Sequence, residues 1–167
     1  MIRKSTILLT SMLFSLLIGC GIYSFSGSTL PNHLKTVELP VFANSTMEPG
    51  VADEITSALE NEIMKSQLSP VNNDADATIS GTVMRYSNDP HTFGAAKEDS
   101  DVDVERYRVR ISAKVEFFDN TNGEIIYEGS VSGEGTYDFQ SETEEIGRRK
   151  AIEELVRQII QNSVQSW

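Results

Sequence analysis

A single cysteine, two histidines and one tryptophan occur in 167 residues. With one cysteine there is no internal disulfide, no redox pair and no multi-thiolate metal site. The two histidines, His33 and His91, are far apart and lack metal-ligand spacing. No Gly-x-Ser-x-Gly elbow, His-Glu-x-x-His helix or phosphate-cradling glycine loop appears, so the constellations of common hydrolases and nucleotide enzymes are missing and the chain is not expected to be an enzyme. Basic residues are also scarce: 14 against 25 acidic ones. A surface of that sign repels nucleic acid and anionic membrane faces. Beyond the first 19 residues no apolar run is long enough for a membrane helix.

The one cysteine sits at a telling position. Arg3 and Lys4 precede an apolar run from Ile7 to Ile18, which closes with Leu17-Ile18-Gly19-Cys20. A short basic head, a hydrophobic stretch too short to span a bilayer and a small residue before the cleavage point form an export signal. The tetrapeptide has the lipobox form of bacterial lipoproteins. Residues 1–19 are therefore expected to be removed, and Cys20 to carry acyl chains through a thioether and its freed amine. Each buried methylene contributes roughly 0.8 kcal/mol, so two or three chains anchor durably where one does not. Gly21 stands where an aspartate would favour inner-membrane retention in enteric bacteria, which points to the outer membrane, periplasmic side. From Cys20 onward the chain has 148 residues, enough for one domain with a real core, and a formal charge of −13.

Residues 20–34 read as a lipidated tether, rich in Gly and Ser, and residues 35–167 as a single domain. Tyr23 and Phe25 in the tether either sit at the bilayer interface or pack on the domain. Lys35 to Phe42 alternates, with Val37, Leu39 and Val41 on one face, and reads as a strand that Pro40 puts at an edge or near its end. Pro49-Gly50 opens a helix whose stripe is Val51, Ile55, Ala58, Leu59 and Ile63, and which stops before Ser69-Pro70. Ala77 to Tyr86 is a second strand; its alternation fails at Met84-Arg85-Tyr86, where a bulge or an exit from the sheet is expected. Ser87 to Asp103 reads as a long polar loop. Its acidic group, Glu98, Asp99, Asp101 and Asp103, lacks the glycine and spacing of an EF-hand and reads as solvated rather than calcium-binding.

Glu105 to Phe118 is the clearest strand. Tyr107, Val109, Ile111, Ala113, Val115 and Phe117 form its core face, and Arg106, Arg108, Arg110 and Lys114 lie on the other. A turn at Asp119 to Gly123 leads to a returning strand, Glu124 to Tyr137, with Ile125, Tyr127, Val131 and Tyr137 inward. Matching the faces of this hairpin predicts a loop of odd length. Ser141 and Glu144 have capping-box spacing ahead of a last helix, whose apolar face is Ile152, Leu155, Val156, Ile159, Ile160 and Val164; Trp167 is read as padding for it. The order β-α-β-β-β-α makes this an α+β chain, a two-layer sandwich with two helices on one face of a four-stranded mixed sheet. The first strand, helix and second strand suit a crossover, the others a meander.

The basic row is the surface feature with a binding role to offer. Arg106, Arg108, Arg110 and Lys114 span roughly 26 Å at about 3.3 Å per residue. Such a row receives phosphates or carboxylates, for instance the anionic head of a glycolipid, by charge-assisted hydrogen bonds. It is equally suited to cross-strand pairing with Glu128 and Glu134, and the two roles coexist because exposed pairs are weak.

Several stretches together resemble the LPS-assembly lipoprotein family, LptE. They are Gly21-Ile22-Tyr23-Ser24-Phe25 after the cysteine, Leu30 to Val37, Pro40 to Thr46, and Glu48-Pro49-Gly50 before the first helix. Further on are Gly81-Thr82-Val83, Tyr86-Ser87-Asn88, Tyr107-Arg108-Val109 and the ending Asn162 to Trp167. The resemblance implies a non-enzymatic lipoprotein at the inner leaflet of the outer membrane. It implies a plug and assembly partner for a large LptD-type barrel, and a part in moving lipopolysaccharide to the cell surface. A plug must be compact and polar outside, since barrel interiors are polar. The rival class is a periplasmic interaction lipoprotein of another envelope machine, because Val37 to Thr46 also resembles domains of peptidoglycan-synthase activators and secretion-channel lipoproteins.

Overall fold

A computed structural model describes residues 30–93 and 104–163. The signal, Cys20 with most of the tether, the acidic group around Asp101, and Val164 to Trp167 lie outside the described residues. The elements are β1 (Thr36–Glu38), β2 (Ala43–Asn44), α1 (Val51–Ile63), β3 (Ser69–Pro70), β4 (Ala77–Phe93), β5 (Val104–Asp119), β6 (Glu124–Asp138) and α2 (Glu144–Ser163). Both helices pack on one face of a mixed sheet of order β3-β1-β4-β5-β6, with β2 also paired to β4. The α+β sandwich is as expected, but the sheet has six strands rather than four.

The two extra strands arise where proline interrupts the chain. Pro40 has no N–H to give a ladder, so the expected strand over Lys35 to Phe42 splits. Its first part, β1, runs parallel to β4 at Val37–Ala77; after the break β2 joins the same edge at Ala43–Thr82. The alternation fails there too. Val37 and Phe42 are buried while Val41 is 63% exposed. The Phe42 N–H donates to the Thr56 hydroxyl at 3.1 Å, and that hydroxyl donates to the Ala52 carbonyl at 2.8 Å, so a buried threonine on α1 holds the break in place.

α1 starts at Gly50, whose φ of 77° is readily reached only without a Cβ. Asp53 and Glu54 in its first turn suit the positive end of the helix dipole. Val51, Ile55, Leu59 and Ile63 are fully buried, each contributing roughly 1.5–3 kcal/mol of apolar burial. α2 buries Ile152, Leu155, Val156, Ile159 and Ile160. It begins two residues later than the capping-box spacing of Ser141 and Glu144 predicts. Ser141 stays in the preceding turn with its N–H on Asp138, and the Glu144 carboxylate accepts from the Tyr86 hydroxyl at 2.6 Å instead of reaching back to a cap.

β4, β5 and β6 form the long meander. The core face of β5 is as expected: Val109, Ile111, Ala113, Val115 and Phe117 are buried. The bulge expected near Met84 is present, between Val83 and Arg85. The polar stretch after Tyr86 is not all loop. β4 continues to Phe93, paired with β5 down to Val104. Pro90 is tolerated because β1 and β2 reach only as far as Val83, which leaves the upper part of β4 as an edge.

The β5–β6 turn also departs from expectation. Asp119 pairs with Glu124, so the loop has four residues and even length. Even length would set inward residues against outward ones; a bulge at Ile126 inserts one residue and restores the phase, so that Phe117 faces Tyr127. Ile125, on the turn side of that bulge, is 54% exposed instead of inward.

Candidate functional site

Because the helices cover one sheet face, the even-numbered residues of β5 lie on the other. Arg106, Arg108, Arg110 and Lys114 do share that helix-free face. In register beside them stand Asp89, Ser87 and Thr82 of β4 and Asp138, Thr136, Glu134 and Ser130 of β6. The face is a field of hydroxyls and charges with the basic row along its middle strand.

The row is partnered. Glu134 bridges two arginines, with Arg110 Nε at 2.6 Å and Arg108 Nη1 at 3.3 Å. Lys114 Nζ lies 2.6 Å from Glu128. The Arg110 hydrogen bond holds the Glu134 carboxyl below its ordinary range, and the Glu128 hydrogen bond lifts the Lys114 amine above its own. Asp138 is likewise held low, first by the Gln140 N–H and to a smaller extent by the charge of Arg106. These pairs are substantially exposed, so solvent screening leaves each of them contributing little to stability. Guanidinium groups can pair with phosphate as well as with carboxylate, often through two parallel hydrogen bonds. Lys114 and Glu128 also line a depression of about 380 Å³ with Val41, Ser80, Thr82 and Glu116.

Two polar clusters escape the sequence reading. His33 Nε2 lies 2.6 Å from Asp119 Oδ2, and Asn122 Nδ2 donates to that same oxygen at 3.0 Å. Burial raises the Asp119 carboxyl, but N–H groups of Asn122 and Thr121 and the His33 ring outweigh it, so the net shift is downward. Next to it Asp76 accepts from the N–H groups of Lys35 and Thr36, both at 2.9 Å. Together they fasten the start of the domain to the β5–β6 turn. The second cluster is Arg148 of α2, 2.9 Å from Glu48 and 3.4 Å from Glu54, which ties the two helix starts together. The only hint of either is a polar residue beside a turn or a helix start; the partners are remote in sequence.

No group of three or more His, Cys, Asp or Glu able to hold a metal ion occurs among the described residues. No helix among them is long and apolar enough to cross a membrane.

Helices on one side and a broad charged face on the other define a two-layer α+β domain. The chain belongs to the LptE family, described as lipopolysaccharide-assembly, whose model matches residues 34–164. It is a family of non-enzymatic lipopolysaccharide-assembly lipoproteins. No curated protein sequence matches the chain. Among solved structures, the fold is similar to a PelC dodecamer subunit from Paraburkholderia phytofirmans, at 16% identity over 85% of this chain and 95% of that one, with a TM-score of 0.53. It is also similar to the hypothetical protein CT253 from Chlamydia trachomatis, at 11% identity over 76% and 94%, with a TM-score of 0.52. At such identities the likeness is one of fold.

Proposed function

We propose that this chain is an outer-membrane lipoprotein, anchored through Cys20 on the periplasmic side. In that role it plugs and helps assemble an LptD-type barrel that delivers lipopolysaccharide to the cell surface. The observation that carries the reading is the family match, which spans nearly the whole described domain. The helix-free face supports it. A plug for a polar lumen needs a rigid body with a polar exterior, and this sheet turns hydroxyls and ion pairs outward across three long strands. Arg106, Arg108, Arg110 and Lys114 are the residues proposed to receive phosphate or carboxylate groups of the glycolipid.

Two measurements test this. Affinity purification of the lipoprotein from solubilised membranes is expected to recover a large barrel in stoichiometric amount; recovery of a peptidoglycan synthase or of a homo-oligomeric ring in its place refutes the barrel role. Replacing Arg106, Arg108 and Arg110 together with Glu is expected to weaken lipopolysaccharide binding at least tenfold while leaving the far-UV spectrum unchanged. Wild-type affinity in that variant reduces the row to surface pairing.

A further inference from the structure

β6 is the outermost strand beyond β5, and its free edge is capped over only part of its length. One bond sets the phase of the ladder: the Phe139 N–H donates to the Glu105 carbonyl at 3.1 Å. That pair continues the register in which Tyr137 faces Tyr107. Residues two apart in an antiparallel ladder point their backbone groups the same way. Odd-numbered residues from Tyr127 to Tyr137 therefore direct N–H and C=O at β5, and even-numbered ones direct theirs outward. Two side chains confirm the phase by capping outward groups. Lys150 Nζ donates to the Thr136 carbonyl at 3.0 Å, and the Glu142 carboxylate accepts from the Asp138 N–H at 2.8 Å. These close the upper end of the edge, and the bulge at Ile126 closes the lower end.

Between them lies an open window. Glu128, Ser130, Ser132 and Glu134 are all exposed, and among the described residues no hydrogen bond reaches their outward backbone groups. Natural sheet edges are blunted with charged side chains, proline or bulges; here the charges of Glu128 and Glu134 stand at the two ends, and the run Gly129 to Gly133 between them has none of these. We propose that this window accepts an extended segment of a partner polypeptide, about 20 Å long, as an additional strand. A second copy of this chain is a poor occupant. The face-matched antiparallel self-pairing that uses the whole window is centred on Val131 and sets Glu128 opposite Glu134 twice. Like charges directly opposite are destabilising. A segment with Lys, Arg, Ser or Thr at alternate positions meets the same two glutamates favourably. The new strand would bond to the backbone edge of β6, whereas Glu128 and Glu134 also pair with the basic row on the adjoining face, so edge and face share these two carboxylates.

The test places a photo-crosslinking amino acid at Ser130 or, separately, at Ser132 of the full-length lipoprotein in its own cells. Conjugates are then sequenced by mass spectrometry. Both positions are expected to attach to one partner polypeptide, at sites about two residues apart in a single segment. Conjugates with a second copy, with lipid or with unrelated segments overturn the proposal, as does the absence of any conjugate. Ser132→Pro removes one outward N–H and leaves the bonds to β5 intact. It is expected to cut the Ser130 conjugate at least tenfold, and a folded variant with undiminished yield overturns the proposal. If that variant does not fold, amide exchange of the wild type decides. The Ser130, Ser132 and Glu134 amides are expected to exchange at least tenfold more slowly in the complex isolated from membranes than in the isolated lipoprotein; equal rates overturn the proposal.

Discussion

Gly133 and Gly135 are the residues that let α2 lie on β6. A Cβ at Gly133 would sit well inside contact distance of the Ala151 carbonyl, and one at Gly135 would press on the Gly147 carbonyl. These are backbone atoms, so the neighbour cannot swing away. Either Gly→Ala change is expected to destabilise the domain by about 2–3 kcal/mol, read from urea midpoints. Gly123 makes a useful comparison, since an added Cβ there meets nothing and the cost lies only in its φ of 73°. Acid sensitivity also belongs to single residues. Asp76, Asp119, Glu134 and Asp138 all have carboxyls held below their ordinary range. A carboxyl depressed by folding adds stability above its unfolded pKa and loses it as pH falls through its folded one. The melting temperature is therefore expected to hold from neutral pH down to the ordinary carboxyl values, 4.5 for Glu134 and 3.8 for the three aspartates, and to drop below them. Asp119→Asn is expected to melt lower at neutral pH and to lose less on acidification; an acid limb identical to wild type would show that Asp119 takes no part.

At the scale of elements, strands and helices with strong periodicity were legible from the chain and their junctions were not. The β5 core face and the α1 stripe could be read because their apolar residues recur at fixed spacing. The split at Pro40 could not be placed, because a proline marks an edge or a strand's end without saying which strand resumes beyond it. β4 past Tyr86 was hidden because its residues are polar on both faces, and hydrophobic patterning is silent there. The basic row was legible as a face. Its pairing to Glu134 and Glu128 was foreseeable only as one of two roles, since register fixes the partners. The hairpin loop shows the same limit. Parity required one extra residue, and the chain supplied it as a bulge in the strand and not as a longer turn. Deleting Ile126 should leave a regular ladder behind the four-residue turn. Its expected cost is about 1–2 kcal/mol, mostly the lost half-buried side chain. Deleting Ser130 instead puts one half of β6 out of phase with its faces and is expected to abolish cooperative unfolding. Equal melting of the two deletions would refute the role given to the bulge.

For the whole molecule, the proposed anchor and the folded domain are separable. Cys20 lies outside the described residues, ahead of a domain whose core closes without it. Cys20→Ala is expected to leave the melting temperature within about a degree of wild type and to shift the protein out of the outer-membrane fraction. Unchanged partition would refute lipid attachment at this position.

The fastening of His33 to Asp119 gives that anchor a direction. The stretch between Cys20 and His33 reaches at most about 45 Å when fully drawn out. It enters the body beside the β5–β6 turn, at one pole of strands roughly 50 Å long. With Cys20 acylated as proposed, the membrane attachment would reach the body at that pole, and the opposite pole, where Tyr107 stacks on Tyr137 and Phe139 lies exposed, would be the one farther from it.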